Sequence, residues 1–175
     1  MNVKRLAFWC VLFCGLLAWV LLFERTDEQR PEAVMPAETY ERVFNLEAAD
    51  ISGVFISDGE KAVRLARDGG DMRVMEPAGA RAADDLIDSL LATIAGTVVI
   101  DEIAPGEDPA QYGLAPPAFT LRVQSGTGAE PVELLLGANA PSNVNLYARL
   151  PAQGRTVLLG TYLRFSLRTF LDNVK

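Results

Sequence analysis

Residues 51–76 read ISGVFISDGEKAVRLARDGGDMRVME, and this stretch decides the fold. Apolar and polar residues alternate along three short runs, and an Asp-Gly pair separates each run from the next. Alternation places the apolar side chains on one face of a strand, and Asp-Gly pairs are typical of tight hairpin turns. The stretch therefore predicts a meander of three antiparallel strands.

A helix is predicted directly after the meander. Asp84 and Asp85 lie at its start, where acidic side chains complement the exposed backbone N–H groups. Apolar residues then recur at intervals of three and four until Gly96, namely Leu86, Ile87, Leu90, Leu91 and Ile94. After this helix, residues 97–100, Thr-Val-Val-Ile, predict a further strand.

The second half of the chain repeats this order of elements. Strands are predicted at residues 119–123, 132–136, 146–150 and 156–159. The final helix has one apolar face, with Arg164 and Arg168 opposite; that face contains Leu163, Leu167, Phe170, Leu171 and Val174. The sequence thus predicts an α+β domain of antiparallel strand meanders packed with two helices, in two halves of similar element order.

The N-terminus has a different character from the rest of the chain. Residues 6–23 contain no charge, and at 1.5 Å per residue they span about 27 Å, close to the hydrocarbon core of a bilayer. Lys4 and Arg5 precede this run, so the positive-inside rule leaves the N-terminus in the cytoplasm. A cleaved secretory signal is the alternative, but no small-x-small cleavage site closely follows the run. The pattern predicts a single uncleaved transmembrane helix.

These features divide the chain into a transmembrane anchor at residues 1–23, a juxtamembrane spacer at residues 24–45 and a soluble domain at residues 46–175. The chain carries a net charge of −7, and the part after the anchor carries −9 because Lys4 and Arg5 precede it. Such an acidic domain is a poor partner for nucleic acid or for an anionic membrane surface. We expect a single-pass protein of the cytoplasmic (inner) membrane, with its C-terminal domain in the periplasm or another extracytoplasmic space.

The residue inventory excludes several classes of enzyme. The chain has no histidine, which excludes Ser-His-Asp triads and His-ligated metals. Its two cysteines, Cys10 and Cys14, both lie in the anchor, so the soluble domain has neither a disulfide nor a thiolate nucleophile. No glycine cluster resembles a loop that binds phosphate or a dinucleotide. We therefore expect no catalytic residue, no cofactor and no metal ion.

Three acidic groups and one polar loop are the remaining candidates for a site. Asp84, Asp85 and Asp88 crowd the start of a helix, where capping and the helix dipole account for them. The acidic pairs at residues 101–102 and 107–108 flank a loop but lack the ligand spacing of a calcium-binding loop. Residues 142–145, Ser-Asn-Val-Asn, predict a turn between strands.

Three short motifs carry a family resemblance. Tyr112-Gly113-Leu114-Ala115-Pro116, with Leu136-Gly137 and Tyr147-Ala148-Arg149 downstream, resembles the domain-of-unknown-function family numbered 4340 over about residues 46–160. The third strand of that family usually carries a Trp where this chain has Met72. We expect the first motif to be structural, because Gly113 permits a tight turn and Leu114 can fill the core.

The resemblance implies a role outside catalysis. Members of the family have no established enzyme activity, are often membrane-anchored and occur with ABC-type transporters. We therefore expect a non-catalytic accessory protein of a bacterial envelope or ABC-transporter-type complex, held in the lipid bilayer and bound to integral membrane proteins. One alternative is a ligand-binding or sensing module, which a deep apolar pocket between the two halves would favour. The other is a carboxylate-based hydrolase, which needs two carboxylates paired in a cleft.

Overall fold

The computed structural model describes residues 40–104, 106, 108–126 and 128–175, together with Phe13, Leu16 and Trp19. The chain divides into two compact units, Met1–Thr39 and Tyr40–Lys175. In the first unit, Phe13, Leu16 and Trp19 are helical and exposed, and the rest of the predicted anchor and spacer up to residue 39 lies outside the described residues. None of the helices in the described part of the chain has the length and apolar character that crossing a bilayer requires.

The second unit is an α+β domain of antiparallel strands with two helices, as predicted. Its described strands are β1 (Ile51–Ser57), β2 (Ala62–Asp68), β3 (Asp71–Glu76), β4 (Asp101–Ile103), β5 (Phe119–Ser125), β6 (Val132–Asn139), β7 (Asn145–Leu150) and β8 (Arg155–Gly160). The helices are α1 (Asp84–Ala95) and α2 (Tyr162–Asn173), and short 3-10 helices lie at Ala48–Asp50, Pro109–Tyr112 and Pro151–Gln153. The strands form one sheet in the order β3-β2-β1-β5-β6-β7-β8-β4.

The first three strands form the predicted meander. Val54 pairs with Leu65 between β1 and β2, and both side chains are buried because alternate positions of each strand face the core. At the first turn, the Asp58 carboxylate accepts hydrogen bonds from the backbone N–H groups of Glu60 and Lys61, at 3.1 and 2.8 Å. The Asp-Gly turn therefore closes through a local side-chain bond, which is why its residues indicate a hairpin.

The two helices contact each other and pack against the buried face of the sheet. Their inward residues are those that the three-and-four spacing predicts. They are Ile87, Leu90, Leu91 and Ile94 of α1 and Leu163, Leu167, Phe170 and Leu171 of α2. One continuous core results, and each fully buried Leu or Phe side chain in it contributes about 1.5–3 kcal/mol.

The two predicted halves do not form separate units. β5, the first strand of the second half, pairs with β1 of the first. β4 follows α1 in the chain but crosses to the far edge of the sheet, where it pairs with β8. The two halves therefore share one sheet and one core.

The strand predicted at residues 97–100 is wrong. Val98 forms only an isolated bridge with Arg42, and the N–H of Val99 donates to the carbonyl of Glu41 at 2.8 Å. The regular strand of this region is β4, which starts one residue after the predicted strand ends. The prediction failed because the partner of this segment is an irregular stretch near residue 42, and one residue pair does not make a ladder.

The folded domain begins at Tyr40 rather than at residue 46. Val43 and Phe44 are both buried in the core, and only 1% of Phe44 is exposed. Such a short segment has no periodicity of its own, so its sequence resembles the charged spacer that precedes it. The last residues of the predicted spacer are thus part of the domain.

Candidate interaction surface

The acidic pairs flanking the loop are engaged by neighbouring groups. The Glu102 carboxylate accepts a hydrogen bond from Arg155 Nη2 at 3.0 Å, and Glu41 accepts one from Nη1 of the same guanidinium at 2.9 Å. Asp108 caps a 3-10 helix by accepting a backbone N–H bond at 3.0 Å, while Glu107 lies outside the described residues. In the part of the chain that is described, no group of three or more His, Cys, Asp and Glu side chains could hold a metal ion.

The other sequence candidates lie at local structural positions. Asp84 and Asp85 occupy the first turn of α1, although the residue before them makes no side-chain cap. In the predicted turn at residues 142–145, Asn143 adopts a φ of 58° and donates its N–H to the carbonyl of Ala140 at 2.8 Å, and Asn145 is already the first residue of β7. Asp84 and Asp85 thus lie at the start of a helix, and Asn143 lies in a turn.

The three sequence motifs converge on one place, and we call Tyr112, Gly113, Leu114, Gly137 and Tyr147 the motif cluster. The rings of Tyr112 and Tyr147 lie 4.4 Å apart between centroids. Gly113 adopts a left-handed φ of 65° at the end of a 3-10 helix, and Leu114 is buried, as predicted. On β6, a Cβ at Gly137 would overlap the carbonyl oxygen of Tyr112 and lie 2.9 Å from Leu114 Cγ. Only glycine allows the loop to approach the strand this closely.

Arg164 connects the motif cluster to α2. Its Nη2 donates to the carbonyl oxygen of Gly137, and its Nη1 donates to Asn139 Oδ1 at 2.8 Å. The sequence places Arg164 opposite the apolar face of its helix, yet the side chain is half-buried against β6. The motif cluster and the Arg164 guanidinium therefore meet at the Gly137 carbonyl.

The start of α2 presents an exposed group of large apolar side chains, and we call Val144, Tyr162 and Phe165 the aromatic patch. Tyr162 and Phe165 are 63% and 65% exposed, with ring centroids 6.3 Å apart, and Val144 is 65% exposed. The backbone of Val144 lies beside the start of α2, because its carbonyl accepts the N–H of Thr161 at 3.2 Å. Clustered exposed apolar residues mark interaction surfaces, and aromatic side chains are enriched there.

An open groove runs beside the aromatic patch, and we call it the Arg164 groove. Its volume is about 860 Å³. Arg164 and Arg168, one helical turn apart, supply its positive charge. The lining residues are Asp58, Glu60, Ala118, Phe119, Asn139, Thr161, Tyr162, Arg164, Phe165 and Arg168. The groove and the patch together give one surface that combines aromatic, apolar and cationic groups.

Asp58 balances the charge at one end of this groove. Its side chain is only 9% exposed and lies 3.3 Å from Arg168 Nη1. Burial alone would raise the pKa of Asp58, but the N–H groups of Lys61 and Glu60 and the charge of Arg168 stabilise the carboxylate, so the pKa is below its ordinary value.

Asp58→Asn is expected to lower the melting temperature of the full chain by about 2–4 °C at neutral pH. A carboxyl group with a lowered folded-state pKa contributes stability above its unfolded pKa, near 3.9, and loses it as the pH falls through the folded value. The difference between variant and parent should therefore shrink below about pH 4. The difference in melting temperature is measured by circular dichroism at several pH values. The control is Asp172→Asn, because Asp172 forms a half-exposed ion pair with Lys61. A difference that does not change with pH would contradict the assignment.

Comparison with protein families gives a match. The family model described as Domain of unknown function (DUF4340) matches residues 73–174, more than half of the chain. This confirms the resemblance inferred from the motifs, and the matched range also includes Arg164 and the aromatic patch. No curated protein and no solved structure matches the chain.

Proposed function

The chain belongs to the DUF4340 family, and we propose that it is a non-catalytic, membrane-anchored accessory protein whose domain binds another protein of a bacterial envelope or ABC-transporter-type complex. Residues 6–23 are the anchor in this proposal, and Tyr40–Lys175 is the binding domain on the extracytoplasmic side.

The aromatic patch is the observation that carries the proposal. Tyr162 and Phe165 lie three residues apart on α2, so both project from the same side of the helix, away from Leu163 and Leu167 in the core. Exposing two aromatic rings to water forgoes about 1.5–3 kcal/mol of burial energy for each. A partner protein that covers them would recover that energy, and Tyr and Arg are among the residues that most often dominate such interfaces.

A ligand-binding or sensing module is the second candidate function. The volume of the Arg164 groove, about 860 Å³, falls within the range of small-molecule sites. However, the groove lies open beside an exposed helix, whereas small ligands are usually bound in sites that bury most of their surface. The carboxylate-based hydrolase has less support, because Asp58, the buried carboxylate of this groove, is held by Arg168.

The membrane arrangement is tested by cysteine labelling in intact cells. In a parent with Cys10→Ser and Cys14→Ser, the exposed loop variant Glu130→Cys should react with a membrane-impermeant maleimide. The matched variant Asn2→Cys should react only after lysis. The reverse pattern, or release of the chain from membranes by alkaline carbonate, would contradict the anchor.

The binding role is tested by extracting the same membranes in a mild detergent. The tagged full chain should co-purify with an integral membrane protein in a stable ratio. Recovery of the chain as a lone monomer under these conditions would contradict the proposal.

A further inference from the structure

We propose that the Arg164 groove takes an acidic segment of the partner protein, with a carboxylate beside Arg164 and an apolar side chain against Phe165. This inference rests on the proposed function, since it specifies the chemistry of what that same surface binds. The groove leaves the charge of Arg164 without a partner carboxylate among the described residues.

Arg164 is a half-buried cation whose hydrogen-bond partners are neutral. Its two terminal nitrogens donate to Asn139 Oδ1 and to the Gly137 carbonyl oxygen, and its Nε is buried without a hydrogen-bond partner. Among the residues that the structure describes, no carboxylate oxygen lies within 4 Å of this guanidinium, although the chain is acidic overall. An arginine stays charged when it is partly desolvated, so this position favours an anion from outside the domain.

The remaining charges of the groove locate the anion. Arg168 lies one helical turn further along α2 and is paired with Asp58. Glu60 lies in the same β1–β2 turn as Asp58 and also lines the groove. That end of the groove is therefore balanced. Burial, and then the charge of Arg168, lower the pKa of Arg164, which indicates a site where a negative charge is favourable. A ligand carboxylate is accordingly expected at the Arg164 end.

The groove also offers an apolar wall suited to a side chain next to that carboxylate. Phe165 is largely exposed, and the buried Phe119 and the exposed Ala118 also line the groove. A cation beside an aromatic wall matches a short sequence in which an acidic residue neighbours a Phe or Leu. In protein interfaces, buried aromatic side chains supply affinity, and arginine hydrogen bonds to a carboxylate fix the orientation of the bound segment.

Two matched peptides test the inference. A fluorescein-labelled peptide containing Glu-Phe-Asp-Leu is titrated against the detergent-solubilised full chain by fluorescence polarisation, and a Gln-Phe-Asn-Leu peptide serves as the neutral control. We expect the acidic peptide to bind about tenfold more tightly, as one charge-assisted pair provides. Arg164→Gln, which keeps an N–H donor for the Gly137 carbonyl, should abolish this preference. Arg164→Lys should retain part of it, and Arg73→Gln on the β3 edge should leave it unchanged.

Equal binding of the two peptides, binding of neither, or a preference that survives Arg164→Gln would overturn the inference. So would stronger binding of phosphatidylglycerol vesicles than of the acidic peptide with the same dependence on Arg164, since the groove would then be a lipid headgroup site. These results can be distinguished from a failure of the proposed function. If a partner co-purifies equally with the parent and with Arg164→Gln, the binding role stands and only the acidic-segment inference is removed.

Discussion

Gly137→Ala is expected to lower the free energy of unfolding by about 3 kcal/mol, the upper part of the range for overpacking a well-packed site. The added Cβ would overlap the carbonyl oxygen of Tyr112 and lie 2.9 Å from Leu114 Cγ. The obstacle is a backbone group and a buried side chain, neither of which can rotate away. The loop would have to separate from β6, which would also disturb the contact between the tilted rings of Tyr112 and Tyr147.

Gly160→Ala is the matched control for this substitution. Gly160 also lies in a strand, but a Cβ built there meets no heavy atom within 4 Å. Its effect should stay within about 0.5 kcal/mol. Urea unfolding of the detergent-solubilised full chain, followed by circular dichroism, compares the two. Equal effects of Gly137→Ala and Gly160→Ala would show that the motif cluster does not depend on close contact between its loop and β6.

The double variant Tyr162→Ser and Phe165→Ser is expected to weaken partner binding by about 100-fold or more while leaving the fold stable. Two central aromatic residues each contribute about 2 kcal/mol or more where they dominate an interface. Because both rings are largely exposed, their loss should change the melting temperature little. The readout is the amount of partner that co-purifies with the full chain, together with a melting curve of each variant.

Met75→Ser is the control for the loss of an exposed apolar side chain. Met75 is 50% exposed and lies on β3, the edge strand at the opposite end of the sheet from β4. The Met75→Ser variant should still co-purify with the partner. If the aromatic double variant retains its partner, or if Met75→Ser loses it equally, the aromatic patch is not the binding surface.

The periodic parts of the fold were predictable from the sequence. The alternation in residues 51–76 and the spacing of Leu90, Leu91 and Ile94 are local patterns, and the structure contains the corresponding strands and helix. The pairing of β4 with β8 was not predictable, because it joins segments far apart in the chain without any local signal. The placement of Val43 and Phe44 in the core was missed for the same reason.

The candidate surface was only partly visible in the sequence. The motifs containing Gly113 and Gly137 were recognised, but their contact depends on the path of the loop over β6, which no single run of residues specifies. The aromatic patch did leave a signal, since Tyr162 and Phe165 occupy the helix face away from the predicted core. The role of Arg164 could not be predicted, because residues opposite an apolar face are ordinarily solvated, whereas here β6 passes close to that side of α2.

Photo-crosslinking from position 165 in intact cells tests most directly whether this surface binds a membrane protein partner. With p-benzoylphenylalanine in place of Phe165, irradiation should join the full chain to one integral membrane protein of its complex, and the same photoreactive residue in place of Met75 should not. The absence of any crosslink from position 165, or the same product from position 75, would contradict the account.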